Sequence, residues 1–249
     1  MRSPRHLLIE LIERGNIPPV KVGDALAVAG VSPDGKAWAL FIDRLLLWLG
    51  ALALAFAVLF FVAYNWSELG RFAKFGMVEA LIALAVLAYW KFGDDTAAGK
   101  ASLFVATILL GVLLALYGQT YQTGADPWQL FFTWSMLMLP WAIVGRFAAI
   151  WIVWIALINL SVVLYYETSG GMLWRIFGGG TEMLWLVFLF NVHALAVWEW
   201  LSGRWRWLAD RWAVRLVAIG SGVPITLLAL YAIFDGQGGM LAGLVWIIW

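Results

Sequence analysis

Apolar residues run along most of this chain in long unbroken blocks of similar length. They read Leu45–Tyr64, Phe72–Trp90, Ala101–Gly118, Trp128–Gly145, Phe147–Tyr166, Glu182–Leu201 and Trp212–Phe234, separated by short polar interruptions. A helix needs about 20 apolar residues to cross ~30 Å of hydrocarbon, so each block predicts a membrane span. No block alternates apolar and polar residues as the strands of a barrel would, and a helix satisfies its own backbone groups in lipid. The interruption at Gly145-Arg146 is so short that the fourth and fifth spans must form a tight antiparallel hairpin. The expected fold is therefore an all-α polytopic bundle, residues 43–249.

Residues 1–42 follow a different pattern and predict a small helical headpiece. His6 to Arg14 places Leu7, Leu8, Leu11 and Ile12 on one helical face, and Gly15-Asn16 ends it. Lys21 to Ala29 reads as a second short helix, stopped by Gly30. Ser32-Pro33-Asp34 reads as an N-cap, a first-turn proline and a first-turn acid, opening a helix that continues through Trp38 and Phe41 into the first span. At the other end, residues 240–249 are ten apolar residues without a polar stop. They rise only about 15 Å as a helix, and are expected to open a partial eighth span in a longer protein or to re-enter the membrane.

Composition agrees. Of 249 residues, 64% are hydrophobic and 12% charged, where soluble domains carry about 25% charged residues. The net charge of +1 gives no field for nucleic acid, and with no Cys and two His there is no basis for a metal site. No hydrolase, phosphate-loop, metalloprotease or dinucleotide motif is present, so neither an enzyme activity nor a cofactor is expected. The first residues are too interrupted by Glu10, Glu13 and Arg14 for a cleavable signal peptide. The expected surroundings are a lipid bilayer, with membrane-protein partners or further copies of the chain.

Charge sets the expected orientation. With the N-terminus cytoplasmic, all of the 16 Lys and Arg residues except Arg71, Lys74 and Arg175 fall on the inner side, as the positive-inside rule requires. The stretch 117–129, YGQTYQTGADPWQ, then lies outside. Its Tyr117, Gln119, Tyr121, Gln122 and Asp126 fit either an interfacial loop with rings at headgroup level or a lid or site for a neutral ligand. On the inner side, Arg204, Trp205, Arg206, Trp207 and Arg211 interleave rings and cations, as an anchor to anionic lipids does. The 1.5 Å rise per residue places Glu79, Asn159, Asn191 and His193 in one slab near the midplane, where polar groups are costly. Asn159 and Asn191 stand at nearly the same height on adjacent spans and are within reach of a hydrogen bond. His193 is either a satisfied core imidazole or a functional group. Glu79 is either a protonated, hydrogen-bonded packing residue or a proton- or cation-linked site. Pro224 after GSG, and Pro140, suggest hinges or broken helices. LLALY recurs at 113–117 and 227–231, a hint of an internal repeat.

The layout resembles an uncharacterised family of bacterial polytopic membrane proteins, a domain of unknown function with a short cytoplasmic helical N-terminal region. RGNIP at 14–18, AYNW at 63–66 and LYGQTYQTGADPWQLFFTWSMLMLPW at 116–141 carry the resemblance. It implies a multi-pass protein of the bacterial cytoplasmic membrane with its N-terminus in the cytoplasm, and names no activity. Two function classes follow from the residues: a transporter or channel-like protein for a small solute, and a non-catalytic assembly or envelope-maintenance factor acting through protein partners. A water-filled path to the polar slab would favour the first; a dry slab with an exposed groove would favour the second.

Overall fold

The computed structural model describes residues 4–30, 34–169, 181–234 and 239–249. Every regular element among the described residues is helical. The chain divides into two compact units, residues 1–50 and 51–249, with the boundary inside a long helix.

In the first unit, α1 (Pro4–Glu13) and α2 (Val22–Val28) match the expected headpiece helices to within two residues. Gly15 and Gly30 end them at φ 72° and 62°, a region glycine enters without a Cβ clash. A single 3₁₀ turn at Pro19–Lys21 leads into α2. The next helix, α3, runs unbroken over Gly35–Tyr64, as the continuous pattern through Trp38 and Phe41 requires. Its cap differs from expectation. The Ala37 N–H donates to Asp34 Oδ1 at 2.7 Å, so Asp34 is the N-cap rather than a first-turn acid; Ser32 and Pro33 lie outside the described residues.

The second unit continues with α4 (Arg71–Phe92), α5 (Ala97–Tyr121), α6 (Pro127–Gly145), α7 (Ala148–Ser169), α8 (Glu182–Ser202) and α9 (Arg211–Phe234). With α3, these are long and apolar enough to cross a membrane, so the fold is the expected polytopic helical bundle. Sequential helices pack as neighbours from α4 to α9. α5 extends beyond its apolar run at both ends. Thr96 Oγ1 caps its start by accepting from the Gly99 N–H at 2.9 Å. Its far end stays helical to Tyr121 because hydropathy marks where the lipid stops, not where the helix does.

α5 is the most enclosed span: half of its apolar stretch is buried, against 11% for α4. Val105, Leu109, Val112 and Leu116 of α5 form a core with Val62 and Val78. Gly111 lets α6 approach closely. A Cβ there would meet the Trp134 ring at 2.5 Å, and the Trp134 indole N–H donates to the Thr107 carbonyl at 2.9 Å. The α6–α7 hairpin is as tight as predicted, turning through Arg146 at φ 48°. A second core joins α7, α8 and α9 through Ile155, Trp198, Ala213 and Val217.

Pro224 and Pro140 each lie within a continuous helix: proline removes one backbone donor there, but the turns on either side and the neighbouring spans support the chain, so neither helix is broken. The LLALY copies are not equivalent in packing. Leu116 is buried in the first, whereas its counterpart Leu230 is exposed and Leu228 and Ala229 are buried instead. Finally, the apolar end forms α10 (Gly239–Ile248), which packs on α9. Trp246 Nε1 donates to Thr226 Oγ1 and Trp249 Nε1 to Ser221 Oγ, both at 3.2 Å.

Candidate functional site

The four polar residues predicted to share a midplane slab do not converge. Two of them form a closed pair. Asn191 Nδ2 donates to Asn159 Oδ1 at 2.7 Å and Asn159 Nδ2 to Asn191 Oδ1 at 3.2 Å, joining α7 to α8 as the matching heights suggested. Each amide nitrogen also donates to a carbonyl one turn back in its own helix, Ile155 at 3.0 Å and Val187 at 2.8 Å. Both donors of each NH2 group are thereby used. α9 closes over the pair at Gly220, where a Cβ would lie 2.8 Å from Asn191 Oδ1. With Asn191 buried and every N–H of the two amides used, the pair serves as a three-helix joint.

His193 and Glu79 sit elsewhere. Two residues from Asn191 is about 200° around a helix, and His193 is exposed on the outward side of α8. Its Nδ1 lies 2.6 Å from the Leu189 carbonyl of its own helix, so the core-imidazole reading is corrected: one ring nitrogen has a partner, and the ring is not in the core. Glu79 is exposed as well. The inward face of α4 is taken by Lys74 and Val78, with Lys74 Nζ 3.6 Å from the centroid of the Trp66 ring. That cation–π contact engages the one basic side chain within a turn and a half of Glu79. The expectation that Glu79 is buried in the bundle is therefore also corrected. It shares the open side of α4 with Gly76, Ala80, Ala83 and Leu84.

The 117–129 stretch forms the rim of a cavity of about 690 Å³. Tyr117, Gln119, Gln122 and Asp126 line it, together with Gln129 and Thr133. Tyr121 does not; its ring packs against Tyr117 and Phe75, with centroids at 4.9 and 6.0 Å. The chain turns from α5 to α6 through Gln122 at φ 45° and Gly124 at φ 64°, then enters α6 at Pro127. Asp126 leads into that helix, with its backbone carbonyl accepting from the Gln129 N–H at 3.0 Å and no capping bond from its side chain. A smaller cleft of about 410 Å³, between Leu59, Val62 and Trp66 on one side and α5 on the other, shares Ala115 and Gln119 with it. Amides, hydroxyls and one carboxylate make this a hydrogen-bonding surface with little charge.

At the opposite end of these spans lies a cleft of about 820 Å³, lined by Arg146, Arg204 and Arg206 among five tryptophans. Trp205 and Trp207 stack with centroids 5.7 Å apart, and the Arg204 guanidinium lies 4.1 Å from the centroid of the Trp200 ring. A 3₁₀ turn at Arg206–Leu208 carries these residues, held where Trp198 Nε1 donates to the Leu208 carbonyl at 3.2 Å. Arg211, expected with the group, instead pairs with Glu199 at 2.7 Å and does not line the cleft. Sequence reasoning missed Arg146, Trp151 and Trp154. The available signal was that Trp151 and Trp154 lie one helical turn apart just after the shortest loop, at the same end as Arg204. None of the three cavities includes Glu79, Asn159, Asn191 or His193.

The family model described as "Predicted membrane protein (DUF2157)" matches residues 10–151, more than half of the chain. The matched region takes in Glu79 and the whole 117–129 stretch and stops short of the Asn pair and the 204–208 turn. No curated protein and no solved structure matches.

Proposed function

We propose that the chain, which belongs to the DUF2157 family of predicted membrane proteins, is a non-catalytic assembly protein of the bacterial cytoplasmic membrane, N-terminus inside, that docks a further membrane helix on the outward face of α4. The observation that carries this reading is the position of Glu79. An acidic group deep in a span costs about 2.5–3.5 kcal/mol on insertion scales, and such groups are normally turned toward protein or water. Here the one carboxylate deep in α4 lies on the exposed side of that helix, away from Val78 and Lys74, which face its described neighbours. Gly76, Ala80 and Ala83 beside it leave room for a second backbone to approach, as small residues do at helix contacts in lipid.

The transport reading has less behind it. The Asn pair has no N–H donor left to offer, and none of the three cavities includes the midplane residues. What supports it is the 117–129 cavity, whose neutral polar lining suits an uncharged, hydrogen-bonding solute.

Cysteine cross-linking tests the docking reading, since the chain has no native Cys. A single Cys at Ala83 labelled with a benzophenone maleimide should, on irradiation in native membranes, insert into a neighbouring helix and give adducts heavier than the monomer, and the same label at the buried Val78 should not. If the labelled Ala83→Cys yields only lipid adducts on irradiation, the face is lipid-facing and the proposal fails. Orientation is read in the same background: Gly124→Cys should label from outside intact cells, and Ser202→Cys should not.

A further inference from the structure

We infer that the cleft between Arg146 and the 204–208 turn binds one anionic phospholipid, its phosphate between the guanidiniums of Arg146, Arg204 and Arg206 and its ester region against Trp151 and Trp154. The inference rests on this cleft alone and is independent of the α4 face.

Charge comes first. No carboxylate lies within ion-pair distance of any of the three guanidiniums among the described residues, and the nearby Glu199 is already bonded to Arg211. Three cations that line one cleft without a carboxylate bonded to them favour an anion there. Stacking on Trp200 orients the Arg204 guanidinium by its face, leaving its N–H edge for a planar or tetrahedral oxyanion.

Polarity then changes with depth. The arginines stand at the level of the helix ends, whereas Ile155 and Val197 line the same cleft one to two turns farther into the spans. A free phosphate or nucleotide would have no use for that apolar wall; an acyl chain would. Between the two levels, Trp151 and Trp154 meet edge to face at 5.8 Å. Both residues line the cleft, an aromatic wall at the depth where the glycerol ester region of a phospholipid lies. The volume of about 820 Å³ suits a headgroup, glycerol and the first chain carbons, with the remaining chain in the bilayer.

The test uses the full chain in nanodiscs of zwitterionic phosphatidylcholine, titrated with brominated phosphatidylglycerol or brominated phosphatidylcholine while tryptophan fluorescence is read. Quenching by the anionic lipid should saturate at low mole fraction, and quenching by phosphatidylcholine should rise in proportion to its content. Each guanidinium contributes about 1 kcal/mol toward an anionic lipid, roughly a fivefold preference. Arg146→Gln, Arg204→Gln and Arg206→Gln should each lower the preference by about that factor, and the triple variant should abolish it. Arg211→Gln should leave it intact. If the triple variant does not fold, the wild type in molar salt supplies the same readout, because screening should weaken the preference. Parallel quenching by both lipids in the wild type, or an unchanged preference in a folded triple variant, would mean ordinary boundary lipid and overturn the inference. Free glycerophosphate that relieves quenching as well as unbrominated phosphatidylglycerol would overturn the lipid assignment in favour of a soluble phosphate.

Discussion

Asn191 and Glu79 stand at comparable depth in their spans and share the same problem, a polar side chain where water is absent. The chain solves it for Asn191 and not for Glu79. Around Asn191, three helices converge, a second amide answers each hydrogen bond, and Gly220 removes the side chain that would hold α9 away. Around Glu79, its helix α4 gives its inward face to Val78 and Lys74, and the outward face is left exposed among the described residues. The difference shows that depth alone does not identify a functional polar residue in a membrane protein. What matters is the direction around the helix, and whether the chain supplies the partner.

The strongest way to break this comparison is to place the same side chain on each side of it. Gly220→Val puts branched methyls where even a Cβ would be 2.8 Å from Asn191 Oδ1. It should force α9 off the Asn pair and cost about 2–4 kcal/mol, combining overpacking with loss of the interhelical bonds. Gly76→Val adds the same atoms where nothing lies within 4 Å and should change the chain's own stability by less than about 0.5 kcal/mol. Thermal unfolding of both variants in neutral detergent reads the contrast. Equal losses would mean that the α4 face is packed within the chain.

A double-mutant cycle sharpens the closed side. Asn159→Leu and Asn191→Leu each strand one amide, whereas the double variant removes both. The coupling should be about 0.6–2 kcal/mol, with the double variant less destabilised than the sum of the singles. Zero coupling would mean that each amide is satisfied by its own helix alone, through the Ile155 and Val187 carbonyls.

What the sequence could reveal divides along the same line. Span number, span limits and relative heights are set by the 1.5 Å rise and by apolar length, so the seven spans and the Asn159–Asn191 contact were legible. Facing direction was not. Spans that are apolar all round carry no polar stripe to mark the inward side, so nothing showed that Glu79 points outward, or which of Asn191 and His193, about 200° apart, points inward. The Arg146–Trp151–Trp154 wall was hidden for another reason: its members are about 50 residues from the 204–208 turn and meet it only through the α7–α8 packing. Pro224 marks a missing backbone donor rather than a break, because a span among other helices stays continuous. In the 117–129 stretch, composition exposed the polar rim but not that Tyr121 turns back onto Phe75, since that depends on α5 staying helical past the apolar run.

The smallest expected effect on the isolated chain, and the most telling, belongs to Glu79→Leu. Two forces act on this position with opposite signs. If α4 faces lipid in the native membrane, replacing an acid with leucine removes an insertion cost and adds a favourable apolar group, so the variant should insert at least as well and migrate as the wild type does. If a second helix covers the face, the carboxyl is hydrogen-bonded across that contact, a bond worth about 0.6–2 kcal/mol in lipid. The variant should then keep its own fold to within about 0.5 kcal/mol and lose the Ala83→Cys adducts by roughly threefold or more, the fold-change equivalent of that bond. Glu79→Gln, which can still donate and accept, should retain most of the adducts. The measurement is the adduct fraction in native membranes for the three side chains at position 79, read beside unfolding of each purified variant. A leucine variant with undiminished adducts would remove Glu79 from the contact and leave only the small residues of α4 to account for it.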